Sequence, residues 1–232
     1  MKKIAILTGA GVSAESGIAT FRASDGLWEN HRVEDVASPE GFRKNPKLVL
    51  DFYNQRRAQL RTVKPNVGHK IIAALEDDYD VTIVTQNVDD LHERAGSTNV
   101  IHLHGELLKA RPVDDEGSLV VDWPGDITIR DKDERGVQLR PHIVWFGEQV
   151  PKLELAARAV AAADLIIIVG TSMKVYPAAG LVGYADPSIP VIYVDPNPNI
   201  NYELQSRDIT TIVKGGSEGM EEARELIREI LA

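Results

Sequence analysis

Four nearly unbroken apolar runs, at residues 4–7, 81–84, 165–169 and 191–194, each bounded by glycine or polar residues, constrain the fold more than any other feature of the chain. A strand with one wet face alternates polar and apolar side chains, whereas a strand apolar on both faces belongs to a parallel sheet covered on both sides. Helical patterns lie between the runs, at 69–75, 153–163, 177–185 and 218–231. This alternation predicts an α/β fold with a Rossmann-like parallel sheet and helices on both faces. Two stretches stand outside it. Residues 33–62 read as helical and end near Pro65, and residues 105–140 are rich in Asp and Gly with short strand-like pieces. They predict a smaller inserted lobe, so that 33–62 and 105–140 form a small domain and 1–32, 63–104 and 141–232 a large one. The charged run at 130–135 reads as a solvated turn.

Lys and Arg number 26 against 35 Asp and Glu, and the net charge of −9 disfavours a sequence-independent grip on nucleic acid phosphates. Basic peptides remain suitable partners. No apolar stretch reaches the roughly 18 residues of a membrane span, and residues 1–8 run straight into a strand pattern without a targeting segment. The chain is therefore expected to be cytoplasmic, without a membrane partner. It contains no Cys, which removes disulfides, thiolate nucleophiles and Cys-ligated metals, and is consistent with a reducing compartment.

Directly after the first run comes Gly9-Ala10-Gly11-Val12-Ser13-Ala14, the G-x-G-x-x-A pattern of a dinucleotide-binding turn, in which glycines admit a tight turn and a close approach of backbone to pyrophosphate. An ordinary glycine-rich strand-to-helix turn is the competing reading. The acidic residue that a dehydrogenase carries about 20 residues further on is missing, because the chain leaves the sheet there.

The blocks that follow are more specific. They are Ser16-Gly17-Ile18-Ala19-Thr20-Phe21-Arg22, Asp25-Gly26-Leu27-Trp28, Thr85-Gln86-Asn87-Val88-Asp89-Asp90-Leu91-His92 and His102-Leu103-His104-Gly105. Later come Arg140-Pro141-His142-Ile143-Val144-Trp145-Phe146-Gly147-Glu148 and Gly170-Thr171-Ser172-Met173-Lys174-Val175-Tyr176-Pro177. In this order and spacing the chain resembles the sirtuins from Gly9 to about Asn197. The resemblance implies an enzyme that consumes NAD and removes acyl groups from lysines of proteins or peptides. In that family the acyl carbonyl oxygen attacks the nicotinamide ribose, nicotinamide leaves, and the acyl group departs as O-acyl-ADP-ribose.

The resemblance also implies roles. His104 is the general base for a ribose hydroxyl, a task that suits an imidazole titrating near neutrality; a lone His would otherwise read as structural, the reading kept for His92 and His102. Gln86 and Asn87 are expected at the ribose and Asp89 at the carboxamide, just past the carboxyl end of a buried strand. An Asn-Asp turn that caps the next helix is compatible with this. Phe21, Arg22 and Trp28 belong to the loop over the reactive centre, so His104, Asn87 and Arg22 form the catalytic group. Gly9, Ala10, Gly11 and Ser13 would meet the cofactor on one side, and Gly170, Thr171, Ser172 and Val175 on the other. Asn197 and Gly216 would lie by the adenosine.

Tyr53 and Arg56 resemble the Tyr-x-x-Arg pair of sirtuins that remove succinyl and malonyl groups. Their i, i+3 spacing puts them on one helix face, and a guanidinium fork beside a phenol suits a terminal carboxylate. On residue type alone they would be solvated. Arg57 is taken as a bystander, and weaker deacetylase activity is expected alongside. Val144, Trp145, Phe146, Gly147 and Glu148 correspond to the strand on which sirtuins lay the substrate peptide, with Val144 and Phe146 assigned to the acyl-lysine tunnel. Sirtuins carry two Cys pairs for structural zinc where residues 105–140 have none, so no zinc is expected. Leu119, Val120, Val121, Trp123, Ile127 and Ile129 around Pro124-Gly125 predict a hairpin with a small core of its own. Readings from other classes are an NAD or ADP-ribose sensor without turnover, a protein ADP-ribosyltransferase and a Rossmann dehydrogenase.

Overall fold

In the computed structural model, which describes residues 1–20, 31–232 and the main chain of 27 and 28, the apolar runs are central strands of a six-stranded parallel sheet. In chain order the strands are β1 (Lys3–Thr8), β2 (Leu27–Trp28), β3 (His31–Arg32), β4 (Asp80–Thr85), β5 (Val100–His102), β6 (Gly105–Pro112), β7 (Val121–Asp122), β8 (Leu139–Ile143), β9 (Leu165–Val169), β10 (Val191–Val194) and β11 (Ile209–Ile212). The α-helices are α1 (Ala10–Ala14), α2 (Val33–Val36), α3 (Pro39–Lys44), α4 (Pro46–Thr62), α5 (Val67–Ala74), α6 (Leu91–Ala95), α7 (Leu153–Ala161) and α8 (Gly216–Leu231), with 3-10 turns at Leu75–Asp77 and Ala178–Tyr184.

The two-residue period of a strand explains the continuous runs. Ile4 and Ile6 of β1 pack into one hydrophobic cluster with Ile71 and Ile72 of α5 and Met220, Ala223 and Ile227 of α8. Ala5 and Leu7 pack into another, with Ala156 and Val160 of α7 and Leu181 and Val182 of the later 3-10 turn. Both faces are therefore dry. Burying each such aliphatic side chain contributes on the order of 1.5–3 kcal/mol. The edge strands β5 and β11 were not among the apolar runs, for a physical reason: β5 has three residues, and β11 has an exposed threonine on each face, Thr210 and Thr211.

Strand order is β11-β10-β9-β1-β4-β5. The chain runs outward from β1 through β4 to β5, then returns to the other side of β1 at β9 and runs outward again. The reversal leaves a crevice at the carboxyl ends of β1 and β9, where doubly wound sheets bind ligands.

A third cluster joins α4 to the antiparallel sheet β7-β6-β8, through Val49, Leu50, Phe52, Tyr53 and Leu60 on one side and Leu107, Ala110, Leu139 and Ile143 on the other. Helix α4 starts where Asn45 accepts the Leu48 amide, with Pro46 in its first turn.

The segment 119–129 corrects the expectation of a hairpin with its own core. Leu119, Val121 and Ile129 are about half exposed, at 50%, 47% and 56%, while Ile127 is buried. Strand β7 pairs with β6 rather than folding back around Pro124-Gly125. Tertiary hydrogen bonds hold the segment instead. Arg57 is fully buried, and its guanidinium donates to the carbonyls of Trp123, of Gly125 at 2.9 Å and of Lys109 at 2.8 Å. Asn54 exchanges two bonds with Ile127, both at 2.9 Å. Arg57 is thus no bystander; a buried guanidinium that satisfies three carbonyls ties α4 to the module.

Candidate active site

Three loops meet in the crevice, and glycine decides how closely. A Cβ on Gly11 would lie 2.6 Å from the Gly170 Cα, and one on Gly9 2.7 Å from the Thr171 Cβ. Gly170 has φ +62, and a side chain there would lie 2.2 Å from the Val12 nitrogen. The Gly9 and Gly11 amides donate to Val169 and Gly170 carbonyls. The glycines after β1 thus serve backbone-to-backbone contact with the β9 loop, a reason the pattern alone did not disclose.

The loop after β4 brings Gln86, Asn87 and Asp89 against these turns. Gln86 Nε2 donates to Thr171 Oγ1 at 3.0 Å. Asn87 Nδ2 donates to the Gly9 carbonyl at 3.1 Å and to Ser13 Oγ at 3.2 Å. Ser13 Oγ donates to Asp89 Oδ2 at 3.0 Å, and Asp89 Oδ1 accepts the Leu91 amide at 3.1 Å. Asp89 thus makes a turn that leads into α6, whose N-cap is Asp90 with no side-chain cap of its own. Its burial raises its carboxyl above the ordinary range, against the pull of the Leu91 and Ser13 bonds.

His104 lies just past β5. Its Nδ1 is 3.1 Å from the Gln86 carbonyl, an acceptor only, so Nδ1 carries the proton and Nε2 holds the basic lone pair. No described residue gives Nε2 a hydrogen bond. Burial lowers the affinity of this imidazole for a second proton, which keeps it neutral near pH 7. Amide, hydroxyl and carboxylate groups gathered beside such a base fit ribose hydroxyls and a carboxamide, and so fit a nicotinamide dinucleotide.

A small cleft of about 70 Å³, open to solvent, adjoins Asp89. Its walls are Ile18 and Ala19, then Tyr53, Arg56, Gln59 and Leu60 of α4, then Val88 and Leu107. Tyr53 and Arg56 thus share one cleft with Asp89. Arg56 stacks on Phe52, 3.4 Å from the ring centroid, and donates to the Phe52 carbonyl at 2.6 Å. Tyr53 is fully buried and accepts from Trp145 Nε1 at 3.0 Å; burial raises its phenol above the ordinary range.

Trp145 is 3% exposed, so its indole faces Tyr53 rather than the surface. Arg140 stacks on that indole at 3.2 Å and pairs with Glu148, whose Oε2 accepts the Trp145 amide at 2.8 Å. Val144 and Phe146 donate their amides to His104 and Ala37 carbonyls. Phe146 is 52% exposed and Gly147 has φ +88, so this stretch ends in an exposed ring and a turn. Ser172 and Asn197 are exposed and Val175 is half-buried. Gly216 opens α8, where the Ser217 amide donates to Glu15 Oε1 at 3.0 Å. Phe21 and Arg22 lie outside the described residues, as does the Trp28 side chain.

The roles of Thr8, Thr85, His69, Arg57 and Arg140 escaped the sequence reading. Of these residues only His69 carried a local signal, its i, i+3 spacing from Asn66, which makes the capping box that starts α5. Zinc of the kind sirtuins carry does not fit this chain, which has no Cys; among the described residues no group of three or more His, Asp or Glu is placed to hold a metal. No helix among them is long and apolar enough to cross a membrane.

Comparison with known proteins bears on this geometry. The model of the Sir2 family matches residues 9–177. An NAD-dependent protein deacylase of Bacteroides thetaiotaomicron is 50% identical over 232 residues, 98% of each chain. One of Helicobacter pylori is 57% identical over 196 residues, 84% of this chain and 85% of its own. Among solved structures, a Sir2 homolog–NAD complex superposes with TM-score 0.84 at 39% identity, covering 100% of this chain and 91% of that one. A Sir2–p53 peptide–NAD+ complex does so with TM-score 0.77 at 27% identity, covering 97% and 93%.

Proposed function

Since the chain belongs to the Sir2 family and is an NAD-dependent protein deacylase, we propose that it prefers lysines carrying acidic acyl groups, succinyl or malonyl, over acetyl-lysine. The observation that carries this reading is the cleft in which Tyr53 and Arg56 stand together beside Asp89. A guanidinium held against Phe52 keeps its charge in a partly desolvated place and offers paired donors to a terminal carboxylate. An acetyl group carries no charge for the guanidinium to attract, so it gains less from this neighbour than a terminal carboxylate does.

NAD, when bound, supplies an electrophilic ribose carbon and takes up the acyl group as nicotinamide leaves. In our reading Gln86 and Asn87 hold the ribose, Asp89 the carboxamide, and His104 Nε2 takes the proton of a ribose hydroxyl. Arg22 and Phe21 would close the reactive centre. The turns at Gly9–Ser13 and Gly170–Ser172, with Val175, Asn197 and Gly216, hold the rest of the dinucleotide. Val144–Glu148 lie along the acyl-lysine peptide, with Trp145 acting inward on Tyr53. We take residues 33–62 and 105–140 as the small domain, free of metal, and the remainder as the large one; the cluster that joins α4 to the antiparallel sheet supports this division.

The test is turnover of NAD with matched acetyl-, malonyl- and succinyl-lysine peptides, following nicotinamide and deacylated peptide. Arg56→Met is expected to lower kcat/KM roughly tenfold or more on the two acidic substrates, the loss of a charge-assisted bond, and to leave acetyl-lysine nearly unchanged. Equal loss on all three would remove the specificity. His104→Ala is expected to abolish turnover on every substrate while NAD still binds.

A further inference from the structure

Four successive carbonyls, from the last residue of β4 onward, are each held by the segment that carries His104. Leu103 N donates to Thr85 O at 2.9 Å and Leu107 N to Val88 O at 2.7 Å. Between them, His104 Nδ1 holds Gln86 O at 3.1 Å and His102 Nδ1 holds Asn87 O at 3.1 Å. Two imidazoles from alternate positions thus pin the main chain of the two residues assigned to the ribose.

His102 differs from His104 in its second nitrogen. Its Nε2 lies 2.7 Å from Glu93 Oε1, and the ring is 4% exposed. Both nitrogens face groups that only accept, so two satisfied bonds require two ring protons. Burial opposes that charge, but the Glu93 carboxylate outweighs it and holds the ring above the ordinary imidazole range. With its carbonyl held by His102 and its carboxamide by Gly9 and Ser13, Asn87 has little freedom left.

We propose that His102, oriented by Glu93, is a positioning residue for deacylation, fixing Asn87 in a set relation to the His104 imidazole. Its ring is buried, with both nitrogens engaged by Asn87 and Glu93, so it acts through Asn87. The inference rests on the roles assigned above to Asn87 and His104. A displacement of an ångström at such a site is worth up to about a hundredfold in rate, so a mobile Asn87 would depress kcat more than substrate affinity.

Two variants separate positioning from mere filling of the core. His102→Asn keeps a donor near the Nδ1 place and loses the reach to Glu93; His102→Gln keeps that reach and loses the donor to Asn87. Expected are a kcat about tenfold down in the Gln variant with the peptide KM within about twofold, and a kcat within about threefold of wild type in the Asn variant. Equal losses that follow Tm, or wild-type kcat in His102→Gln, would overturn the proposal. If either variant fails to fold, Glu93→Gln, which keeps an acceptor but removes the charge, should lower Tm somewhat and lower kcat about threefold when assayed well below that Tm; unchanged kcat there would also overturn it. Asn87→Ala turning over at the wild-type rate would bring down the reading of the site itself, and this role with it.

Discussion

Four histidines stand within or beneath the candidate site, and what faces each nitrogen separates them. Among the described residues His104 has one acceptor and one open nitrogen, and His102 has two acceptors. His69 and His92 are fully buried, ring to ring at 4.9 Å, on Ser13 and Thr8. Burial lowers His69 to about 4 and His92 to about 3, and lowers the less buried His142 to about 4. Since the unfolded chain titrates these near 6.5, it binds more protons than the folded one below that value. Their contribution to stability is therefore whole above about pH 6.5 and is lost as pH falls toward their folded values. His102, shifted up, is already protonated there and adds no slope, while Asp89, shifted up, opposes the loss. Tm should fall steadily from pH 7 to 4.5, and His92→Gln should flatten the decline. A Tm constant to pH 5 would contradict this account of the buried pair.

At the scale of elements, the module at 105–140 depends on helix α4. The apolar residues at 119–129 flank a Pro-Gly turn as in a hairpin, but β7 is two residues long and pairs only at an edge, so it has too little surface for a core of its own. The guanidinium of Arg57 supplies what local packing does not, across 52 to 68 residues of chain. Arg57→Met leaves three carbonyls without their donor and should cost on the order of 3 kcal/mol, read as a shifted denaturant midpoint with faster proteolysis in the 113–127 loop. Arg57→Lys should not restore it, because one ammonium cannot span carbonyls on two sides. Wild-type stability in Arg57→Met would mean that the module holds itself. Nothing in the string Asn54-Gln55-Arg56-Arg57 tells the two arginines apart. Three to four residues per helical turn separate their faces, and only the packed neighbours show which face is buried.

At the scale of the molecule, the two-sided sheet and the crevice at β1 and β9 follow from chain order, whereas the small antiparallel sheet needs another source of stability in place of metal. A structural zinc contributes on the order of 10 kcal/mol where one is bound. We expect purified protein to hold substoichiometric zinc and its Tm to be unchanged by a chelator; one zinc per chain, or a Tm lowered by chelation, would reverse this. The sequence by itself determined the doubly wound sheet, the glycine turns and the order of the motif blocks. Those are written in periods of two and three to four residues, and in glycines where backbones touch. Only the tertiary structure decided which imidazole is left open, which arginine is buried and that the Trp145 indole turns onto Tyr53. Each depends on a partner brought near from far along the chain, and burial, which sets proton affinity and the cost of an unmet hydrogen bond, exists only once that partner is in place.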